Sequence, residues 1–282
     1  MSKYLPVITV ILPCYNAAAF IEETLHSVLN QTFVDFECLV IDDASTDQTC
    51  ALVERIAAQD ARVKLFRKEQ NTGYTESLNM GIGLARGRYI ARMDADDICM
   101  PQRFEKQVAF MEANPGCVMC GSAYRLIHNN HTVQVPVTHS DIMLGLLYGN
   151  VFCHPSVMIR NEILRKNNIR YDTRYEPSED YSMWVHLSNF GTLANLPDVL
   201  LAYRLHPESV SNSRSLVQKK LADEIRMSII QKQIKIFSGE RIHKLNRFWF
   251  SVVLLLESVF NNSIPTKVAF RKVIGNRHKI FS

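Results

Sequence analysis

YIARMDADD, residues 89–97, joins a short apolar run directly to three carboxylates, Asp94, Asp96 and Asp97. Carboxylates this close repel one another, so a positive charge normally lies among them. Oxygen ligands of this kind suit Mg²⁺ or Mn²⁺, ions that usually also hold substrate phosphates. A solvated acidic turn or a helix N-cap explains the same residues equally well, because Asp is favoured at both. The surrounding sequence has to decide between these interpretations.

Four short apolar runs predict the strands of the first hundred residues: VITVIL at 7–12, ECLVID at 37–42, VKLFR at 63–67 and RYIARM at 88–93. Helix-period segments separate them, over about 18–30, from near Asp47, and over 75–85. This alternation predicts an α/β fold with a mostly parallel central sheet flanked by helices. Ligands of such sheets bind at the carboxyl ends of the strands. Three of those ends carry polar residues: Tyr15-Asn16, Asp42-Asp43, and Asp94 to Asp97.

The pattern is less regular after Pro101. The segments GSAYRLIH (121–128) and TVQVPV (132–137), joined by Asn129-Asn130, predict a β-hairpin. Residues 153–205 mix short strands with a helix expected from about Glu179 to Phe190. From roughly 214 to the end, the sequence predicts a basic helical segment.

Charge is distributed unevenly along the 282 residues. Residues 1–210 carry 18 Lys/Arg and 24 Asp/Glu, a net of −6, whereas residues 211–282 carry 14 and 4, a net of +10. The basic tail predicts an anionic surface as its partner. Nucleic acid fits poorly, because no recognised binding motif accompanies the charge. An anionic membrane surface is therefore the favoured partner.

The longest apolar run, FWFSVVLLL at 248–256, is shorter than the roughly 20 residues that span a bilayer. With its basic flanks it predicts a helix that lies on an anionic membrane surface. The alternative is a helix packed on the preceding α/β domain with a solvated basic face. The flanking basic residues are Arg241, Lys244, Arg247, Lys267, Arg271, Lys272, Arg277 and Lys279.

Seven cysteines are scattered without a disulfide spacing, which favours a reducing compartment. Cys117 and Cys120 form a lone C-x-x-C, for which two buried thiols are the expected interpretation. Pro6 and Pro13 interrupt the apolar run after Lys3, so that run is expected to form the first strand and not a signal peptide.

Several familiar nucleotide and metal motifs do not match. Gly81, Gly83 and Gly87 miss the G-x-G-x-x-G pattern, because Arg86 occupies the third glycine position. The sequence contains no G-x-x-x-x-G-K-[ST] loop and no H-E-x-x-H. An aspartyl phosphatase would also show two Asp at this spacing, but Asp97-Ile98 replaces the small flexible turn that such a nucleophile needs.

A set of ordered motifs resembles the family 2 glycosyltransferases, inverting enzymes with the GT-A nucleotide-diphospho-sugar transferase fold. The resemblance runs from about residue 6 to 213. It rests on the segments VITVILPCYNAAAFIEETLHSVLNQTFVDFECLVIDDASTDQT, NTGYTESLNMGIGLARGRYIARMDADDICMPQR, HPSVMIR, SEDYSMW and YRLHPESVS. The resemblance implies a GT-A domain over 1–213, with a nucleotide-binding half to about 100 and an acceptor half over 101–213. Residues 214–282 would then form the basic C-terminal region.

The resemblance also implies roles at the strand ends. Tyr15 would stack on uracil, and Asp43 would accept a hydrogen bond from the uracil ring N–H. Asp42 has the alternative of only capping its loop. Asp96 would ligate Mn²⁺ or Mg²⁺, Asp94 would face the ribose or a metal-bound water, and Asp97 would orient the loop. The implied nucleotide-binding residues are Pro13, Tyr15, Asp43, Asn71, Gly73, Asp94, Ala95 and Arg204, with Asn79 and Arg86 as either further wall residues or surface positions.

Inversion requires a base that takes the proton from the acceptor hydroxyl. The family places it on an acidic pair that opens a helix, matched here by Glu179-Asp180. Asp180 is the predicted base and Glu179 an acceptor or donor-sugar contact, whereas helix capping from Ser178 onward is the structural alternative. His154-Pro155 is expected to be structural. His206 is predicted as a third metal ligand or, like Arg204, as purely structural.

These residues together imply a metal-dependent inverting transferase on the inner face of the cytoplasmic membrane. It would move a hexose or N-acetylhexosamine from a UDP-sugar to a lipid-linked or glycan acceptor in lipopolysaccharide, O-antigen or capsule synthesis. A non-catalytic sugar-nucleotide or polysaccharide-binding protein of the same fold is the alternative from another class. A nucleotidyltransferase would need a glycine-rich basic loop after the first strand, where this chain has Pro13-Cys14-Tyr15-Asn16.

Overall fold

The structure is a computed structural model that describes residues 5–205 and 215–239. Its centre is a nine-stranded sheet in the order β3-β2-β1-β4-β8-β6-β9-β5, with β7 paired to β6. The strands are β1 Ile8–Cys14, β2 Phe36–Asp42, β3 Val63–Arg67, β4 Tyr89–Arg92, β5 Ile98–Cys99, β6 Cys117–Leu126, β7 Thr132–Val133, β8 Met158–Arg160 and β9 Thr192–Tyr203.

The half of the sheet that β1 to β4 form is wholly parallel, in agreement with the predicted strand–helix alternation. β1 pairs in parallel with both β2 and β4, and β2 pairs in parallel with β3. Every residue of β1 and β2 is buried, which explains why both read as continuous apolar runs and not as alternating ones. The carboxyl ends of β1, β2 and β4 therefore meet at one edge of the sheet.

The sheet becomes mixed beyond β4. β8 runs antiparallel to both β4 and β6, and β9 is parallel to β6 but antiparallel to β5. The predicted hairpin is present, since β6 and β7 pair antiparallel at Tyr124–Val133 and Arg125–Thr132. Its second strand is only two residues long, much shorter than the predicted 132–137.

The helices cover the sheet and connect its strands. They are α1 Ile21–Leu29, α2 Thr49–Ala57, α3 Tyr74–Leu84, α4 Arg103–Ala113, α5 His139–Leu146, α6 Asn161–Lys166, α7 Glu179–Leu187 and α8 Ser215–Gly239. Short 3₁₀ turns lie at His154–Ser156 and Thr173–Tyr175. α7 begins at the predicted Glu179 and ends three residues before the predicted Phe190.

The compact unit that contains the sheet runs to Ile230, and residues 231–282 form a second unit. Ile225 and Ile229 of α8 are buried within the first unit. The domain boundary at 213 stays a prediction. The apolar run 248–256 and its basic flanks lie outside the described residues. Within the described ranges, no helix is both long and apolar enough to cross a membrane.

Glu37, near the start of β2, anchors a charged network at the amino-terminal edge of the sheet. Its buried carboxylate pairs with Arg86 and with Lys64, whose Nζ lies 2.8 Å away, and accepts a 2.9 Å hydrogen bond from Thr9 Oγ1. Burial acts to raise the pKa of Glu37, but the hydrogen bonds from Arg86, Lys64 and Thr9 outweigh it and lower that pKa to about 2.

This network is expected to make stability depend on pH. The folded-state pKa is depressed, so the stabilisation is present above the unfolded pKa near 4.5 and is lost as pH falls towards 2. At about 1.4 kcal/mol per pKa unit, and discounted for solvent screening of the partly exposed Arg86 and Lys64 side chains, the stabilisation is on the order of 2 kcal/mol. Urea unfolding at pH 7 should show a loss of this order in Glu37→Gln. Glu162→Gln, which breaks only an exposed pair with Lys166, should cost under about 1 kcal/mol, and equal losses in the two variants would contradict the assignment.

Candidate active site

The acidic loop Asp94–Asp97 directly follows β4. Ligand atoms of Asp94, Asp96 and Asp97 all lie within 4.8 Å of one another. The Thr24 hydroxyl on α1 holds the loop, because its single proton is shared between the backbone carbonyls of Ala95 (3.0 Å) and Asp97 (2.9 Å). Helix α1, which is distant from the loop in sequence, therefore holds the loop in place.

Arg204, after β9, holds the same loop from the other side. Its backbone N–H donates to Asp97 Oδ1 (2.8 Å) and its Nε donates to the Asp96 carbonyl (2.7 Å). Its guanidinium pairs with Glu23 at 2.5 Å and lies over the Phe20 ring. In this structure Arg204 orients the acidic loop. His206, the predicted third metal ligand, lies outside the described residues.

The acidic loop fits a hard divalent cation. Asp97 is fully buried, and its Oδ2 has no hydrogen-bond partner among the described residues. Burial and the neighbouring Asp94 and Asp96 carboxylates raise the pKa of Asp97 well above its usual range. Three carboxylates that converge in this way are the ligand type that Mn²⁺ and Mg²⁺ prefer.

Arg92, the last residue of β4, is a buried cation that pairs with this loop and acts electrostatically on the acidic pair of α7. It is buried, it pairs with Asp94 at 2.5 Å, and it lies 5.3 Å from the Tyr74 ring centroid. Its positive charge also acts on the carboxylates of Glu179 and Asp180, where it favours the ionised forms. Its Nε and Nη1 have no partner in the described part of the chain. Arg92 thus balances carboxylates from two distant segments.

The acidic pair opens α7, as predicted. Asp180 Oδ1 accepts from the Tyr181 N–H (2.6 Å) and Oδ2 from Asn150 Nδ2 (2.5 Å). Burial raises the pKa of Asp180 to about 6, and burial together with the Asp180 charge raises the pKa of Glu179 to about 8. Capping by Ser178 is absent, because its hydroxyl donates to the Gln218 carbonyl on α8.

An aromatic cluster that includes Trp184 of α7 packs near the Glu179-Asp180 pair. His154 Nε2 lies 2.9 Å from the Tyr171 hydroxyl, and its ring contacts Tyr171, Trp184 and Tyr74 at centroid distances of 5.4–6.2 Å. Burial, together with the nearby Arg92 charge, lowers the pKa of His154 well below 6.5, so its imidazole is neutral. These contacts give His154 a packing role, consistent with the structural interpretation.

The predicted nucleotide residues meet at the ends of β1 and β2. Tyr15 is about half exposed directly after β1, whereas Pro13 is buried within that strand. Asp43 accepts hydrogen bonds from the backbone N–H groups of Thr72 (3.0 Å) and Gly73 (2.9 Å) and pairs with Lys68. It therefore ties the end of β2 to the segment that contains Asn71 and Gly73.

Three residues for which the sequence left two alternatives make structural contacts. Asp42 is fully buried and accepts from the Ser45 N–H (3.0 Å), which is the loop-capping alternative. Arg86 binds Glu37 at the opposite edge of the sheet, so it is not part of the nucleotide wall. Asn79 exchanges two 2.9 Å hydrogen bonds with the backbone of Tyr171 and so fastens α3 to the segment before α7.

Two residues of the site, Arg92 and Asn150, are not predicted by the sequence motifs. Arg92 lies inside the run 89–97 and reads as an ordinary strand residue, although a lone cation in an apolar strand next to three carboxylates is a usable signal. Asn150 lies in the mostly apolar loop LYGNVF at 147–152, and nothing in its local sequence links it to Asp180. Both acquire their roles only when β4, α7 and the 147–152 loop are brought together.

Comparison with known proteins identifies the family that the sequence motifs resemble. The family model described as glycosyl transferase family 2 matches residues 9–167. The chain belongs to this family. It is 34% identical over 233 residues to an uncharacterized glycosyltransferase of Haemophilus influenzae, covering 78% of this chain and 72% of the relative. It is 29% identical to the Escherichia coli UDP-Glc:alpha-D-GlcNAc-diphosphoundecaprenol beta-1,3-glucosyltransferase, covering 90% of this chain and 96% of that protein.

Solved structures place this family 2 chain in the GT-A fold. A mannosyltransferase of Pyrobaculum calidifontis, solved with GDP-Man and Mn²⁺, matches with a TM-score of 0.65 and 19% identity over 97% of this chain and 81% of that one. S. aureus TarS 1–349, solved with UDP-GlcNAc, matches with a TM-score of 0.62 and 22% identity over 73% of this chain. The match covers 60% of the TarS chain. At these identities the likeness establishes the fold.

Proposed function

We propose that this chain is an inverting glycosyltransferase that moves a hexose or N-acetylhexosamine from a UDP-sugar to a sugar hydroxyl of a lipid-linked acceptor. The observation that carries the proposal is the shared cation. Arg92 pairs with Asp94 of the acidic loop and acts electrostatically on Glu179 and Asp180. A diphosphate–metal group and a reacting hydroxyl would therefore be held on either side of it.

The reaction follows from the two acidic groups. Asp180 takes the proton from the acceptor hydroxyl while the hydroxyl oxygen bonds to the anomeric carbon of the donor. The bond from that carbon to the diphosphate oxygen breaks, and its electron pair leaves with UDP. Attack opposite the leaving group inverts the centre, so an α-linked donor gives a β-linked product. Glu179, with its raised pKa, is protonated near neutral pH and is suited to donate a hydrogen bond to a sugar oxygen.

A bound Mn²⁺ or Mg²⁺ would neutralise the diphosphate and stabilise it as a leaving group. Asp96 and Asp94 would hold the ion, and buried Asp97 would keep the loop in position through Arg204. UDP is the favoured donor nucleotide, because the Escherichia coli relative is named as a UDP-Glc-dependent glucosyltransferase and the TarS structure holds UDP-GlcNAc.

Tyr15 would stack on the uracil ring. Tyr15→Ala is expected to weaken UDP binding about 3- to 10-fold, as an aromatic stack is worth about 0.5–1.5 kcal/mol. Calorimetric titration with UDP and Mn²⁺ measures the change. Tyr15→Phe keeps the ring and should bind like the wild type. Equal binding by the Ala variant would remove Tyr15 from the nucleotide site.

Synthesis of lipopolysaccharide, O-antigen or capsule is the proposed setting. Support comes from relatives such as the Escherichia coli O-antigen biosynthesis glycosyltransferase and the putative teichuronic acid biosynthesis glycosyltransferase of Bacillus subtilis. We place the enzyme peripherally on the cytoplasmic face of the membrane, where the +10 charge of residues 211–282 would meet anionic lipid.

The proposal is tested by transfer assays on the purified chain with Mn²⁺. Donors are UDP-Glc, UDP-Gal, UDP-GlcNAc, UDP-GalNAc and GDP-Man, and the acceptor is a GlcNAc-diphospho-lipid. One UDP-sugar should give a disaccharide-lipid whose new linkage is β by NMR. Binding of UDP without release of UDP or formation of product from any donor would favour a non-catalytic binding protein. An α-linked product would overturn the inverting mechanism.

A further inference from the structure

The loop 147–152, between α5 and the 3₁₀ turn at His154, touches the acidic pair through one side chain. Asn150 Nδ2 donates a 2.5 Å hydrogen bond to Asp180 Oδ2. We infer that Asn150 is a positioning residue that sets the orientation and charge of the base carboxylate. The inference rests on the proposed function, which makes Asp180 the base.

The orientation of the Asn150 amide is determined by a second contact. Its Oδ1 accepts a 3.0 Å hydrogen bond from the backbone N–H of Phe152. Only the amide oxygen is able to accept from an N–H, so the NH₂ group must face Asp180. The contact with Asp180 is therefore a donor–acceptor pair, and a flipped amide would break both hydrogen bonds at once.

The loop that carries Asn150 is fastened to α7 on both sides. The Tyr181 hydroxyl donates to the Leu146 carbonyl just before the loop, and the Phe152 ring lies 5.8 Å from that of Trp184. Arg226 of α8 donates to the Tyr148 carbonyl at 3.1 Å. Asn150 is thus held against the same helix that carries Asp180, which is how a catalytic group is kept within narrow geometric limits.

The Asn150 contact has two consequences for Asp180. The terminal torsion of Asp is broad, and hydrogen bonds from Tyr181 and Asn150, one on each oxygen, restrict it while leaving a lone pair free on each. A donor also favours the ionised form. The other groups that act on Asp180 are Arg92 on β4, which favours ionisation, and its α7 neighbour Glu179, with which it shares the titration of the pair. Tyr171 also faces it.

Asn150→Asp removes the hydrogen-bond donor to Asp180 but keeps the acceptor for the Phe152 N–H, so it tests the first contact alone. The new carboxylate still accepts from the Phe152 N–H, but it places an acceptor and a negative charge against Asp180. Asn150→Ala removes both contacts. Asn129→Ala is the matched control, because Asn129 Oδ1 accepts a 3.0 Å hydrogen bond from the His131 N–H in the same two-residue turn. Asn129 is exposed in the β6–β7 connection.

The test is a pH–rate profile from pH 5 to 9, measured as UDP release from the UDP-sugar that the wild type turns over, with the GlcNAc-diphospho-lipid present. The acid limb should move up by about one pH unit in Asn150→Ala and further in Asn150→Asp. At pH 6 the kcat of both Asn150 variants should be about 10- to 100-fold below that of the wild type, as expected for the loss of a hydrogen bond to a charged group. UDP affinity and urea unfolding should match the wild type, as should every property of Asn129→Ala.

A second readout does not depend on turnover. The ¹³C carboxyl signal of Asp180, assigned by its loss in Asp180→Asn, should titrate at a higher pH in Asn150→Asp than in the wild type. An unchanged titration and an unchanged acid limb would overturn the inference. If the signal shifts but Asp180→Asn keeps full activity, Asn150 still sets the charge of Asp180, and it is the proposed role of Asp180 as base that fails.

Discussion

Asp180→Asn is expected to lower kcat about 10²- to 10⁴-fold, the usual contribution of a positioned general base. The amide has nearly the same shape as the carboxylate but has no basic oxygen to receive the hydroxyl proton. Its oxygen still accepts from the Tyr181 N–H, the contact that Asp180 makes at 2.6 Å, whereas its NH₂ group faces the NH₂ of exposed Asn150 and loses that hydrogen bond. The variant should therefore fold and bind UDP with Mn²⁺ like the wild type, so the loss should appear in kcat and not in donor affinity.

Steady-state rates with the GlcNAc-diphospho-lipid acceptor measure this loss, and calorimetry measures UDP binding. Burial raises the pKa of Asp180 to about 6, so wild-type kcat/KM should rise as pH increases through that value, and the rise should vanish in the variant. Asp198→Asn is the control, since Asp198 forms a surface pair with Lys106. If Asp180→Asn turned over at the wild-type rate, the base would have to be another group, with Glu179 the first to test.

The parallel half of the fold follows from local sequence, because short strand-forming runs alternate there with helix-period segments, and the largely apolar β1 and β2 are buried on both faces. The residues after each strand meet at one edge by topology alone. Strand order and direction are therefore enough to predict that Tyr15, Asp43 and the 94–97 loop lie together. The mixed half is less predictable, since β5 and β7 are two residues long and owe their strand character to their partners.

Long-range contacts account for what could not be predicted. Arg86 is compatible with either a wall or a surface position until its partner Glu37, 49 positions away, is known. Asn150 and Asp180 are 30 positions apart, and Arg204 reaches Asp97 across 107. A side chain whose partner is fixed only by tertiary packing leaves no periodic trace in the sequence.

Arg92 and the four carboxylates around it make one electrostatic unit. Asp94, Asp97, Glu179 and Asp180 all act on or are acted on by this one buried guanidinium. Its one positive charge cannot balance all the carboxylates of the site, and a divalent cation at the 94–97 loop would offset the excess negative charge. The proton retained by Glu179 lowers the remaining charge on the α7 side. The negative charge that such a cation would offset is therefore concentrated at the 94–97 loop.

Asp96→Asn is expected to lower metal-dependent transfer about 10²- to 10³-fold. A metal that neutralises a leaving group contributes several kcal/mol, and each 1.4 kcal/mol is about a tenfold change in rate. The amide oxygen is a weaker and uncharged ligand, so Mn²⁺ affinity should fall as well. Electron paramagnetic resonance of free Mn²⁺, titrated with protein in the presence of UDP, measures that affinity independently of turnover.

The substitution Asp96→Asn should affect metal binding and transfer without unfolding the protein. Arg204 donates to the backbone carbonyl of Asp96 and to the side chain of Asp97, and Asp96→Asn leaves both of these contacts in place. Urea unfolding of Asp96→Asn without metal should therefore still show a cooperatively folded protein, so that unfolding does not explain a lower rate. Asp198→Asn should keep both Mn²⁺ affinity and rate. Undiminished Mn²⁺ binding and transfer by Asp96→Asn would move the ligand role to another residue, because a carboxylate that ligates the ion cannot lose its charge without consequence.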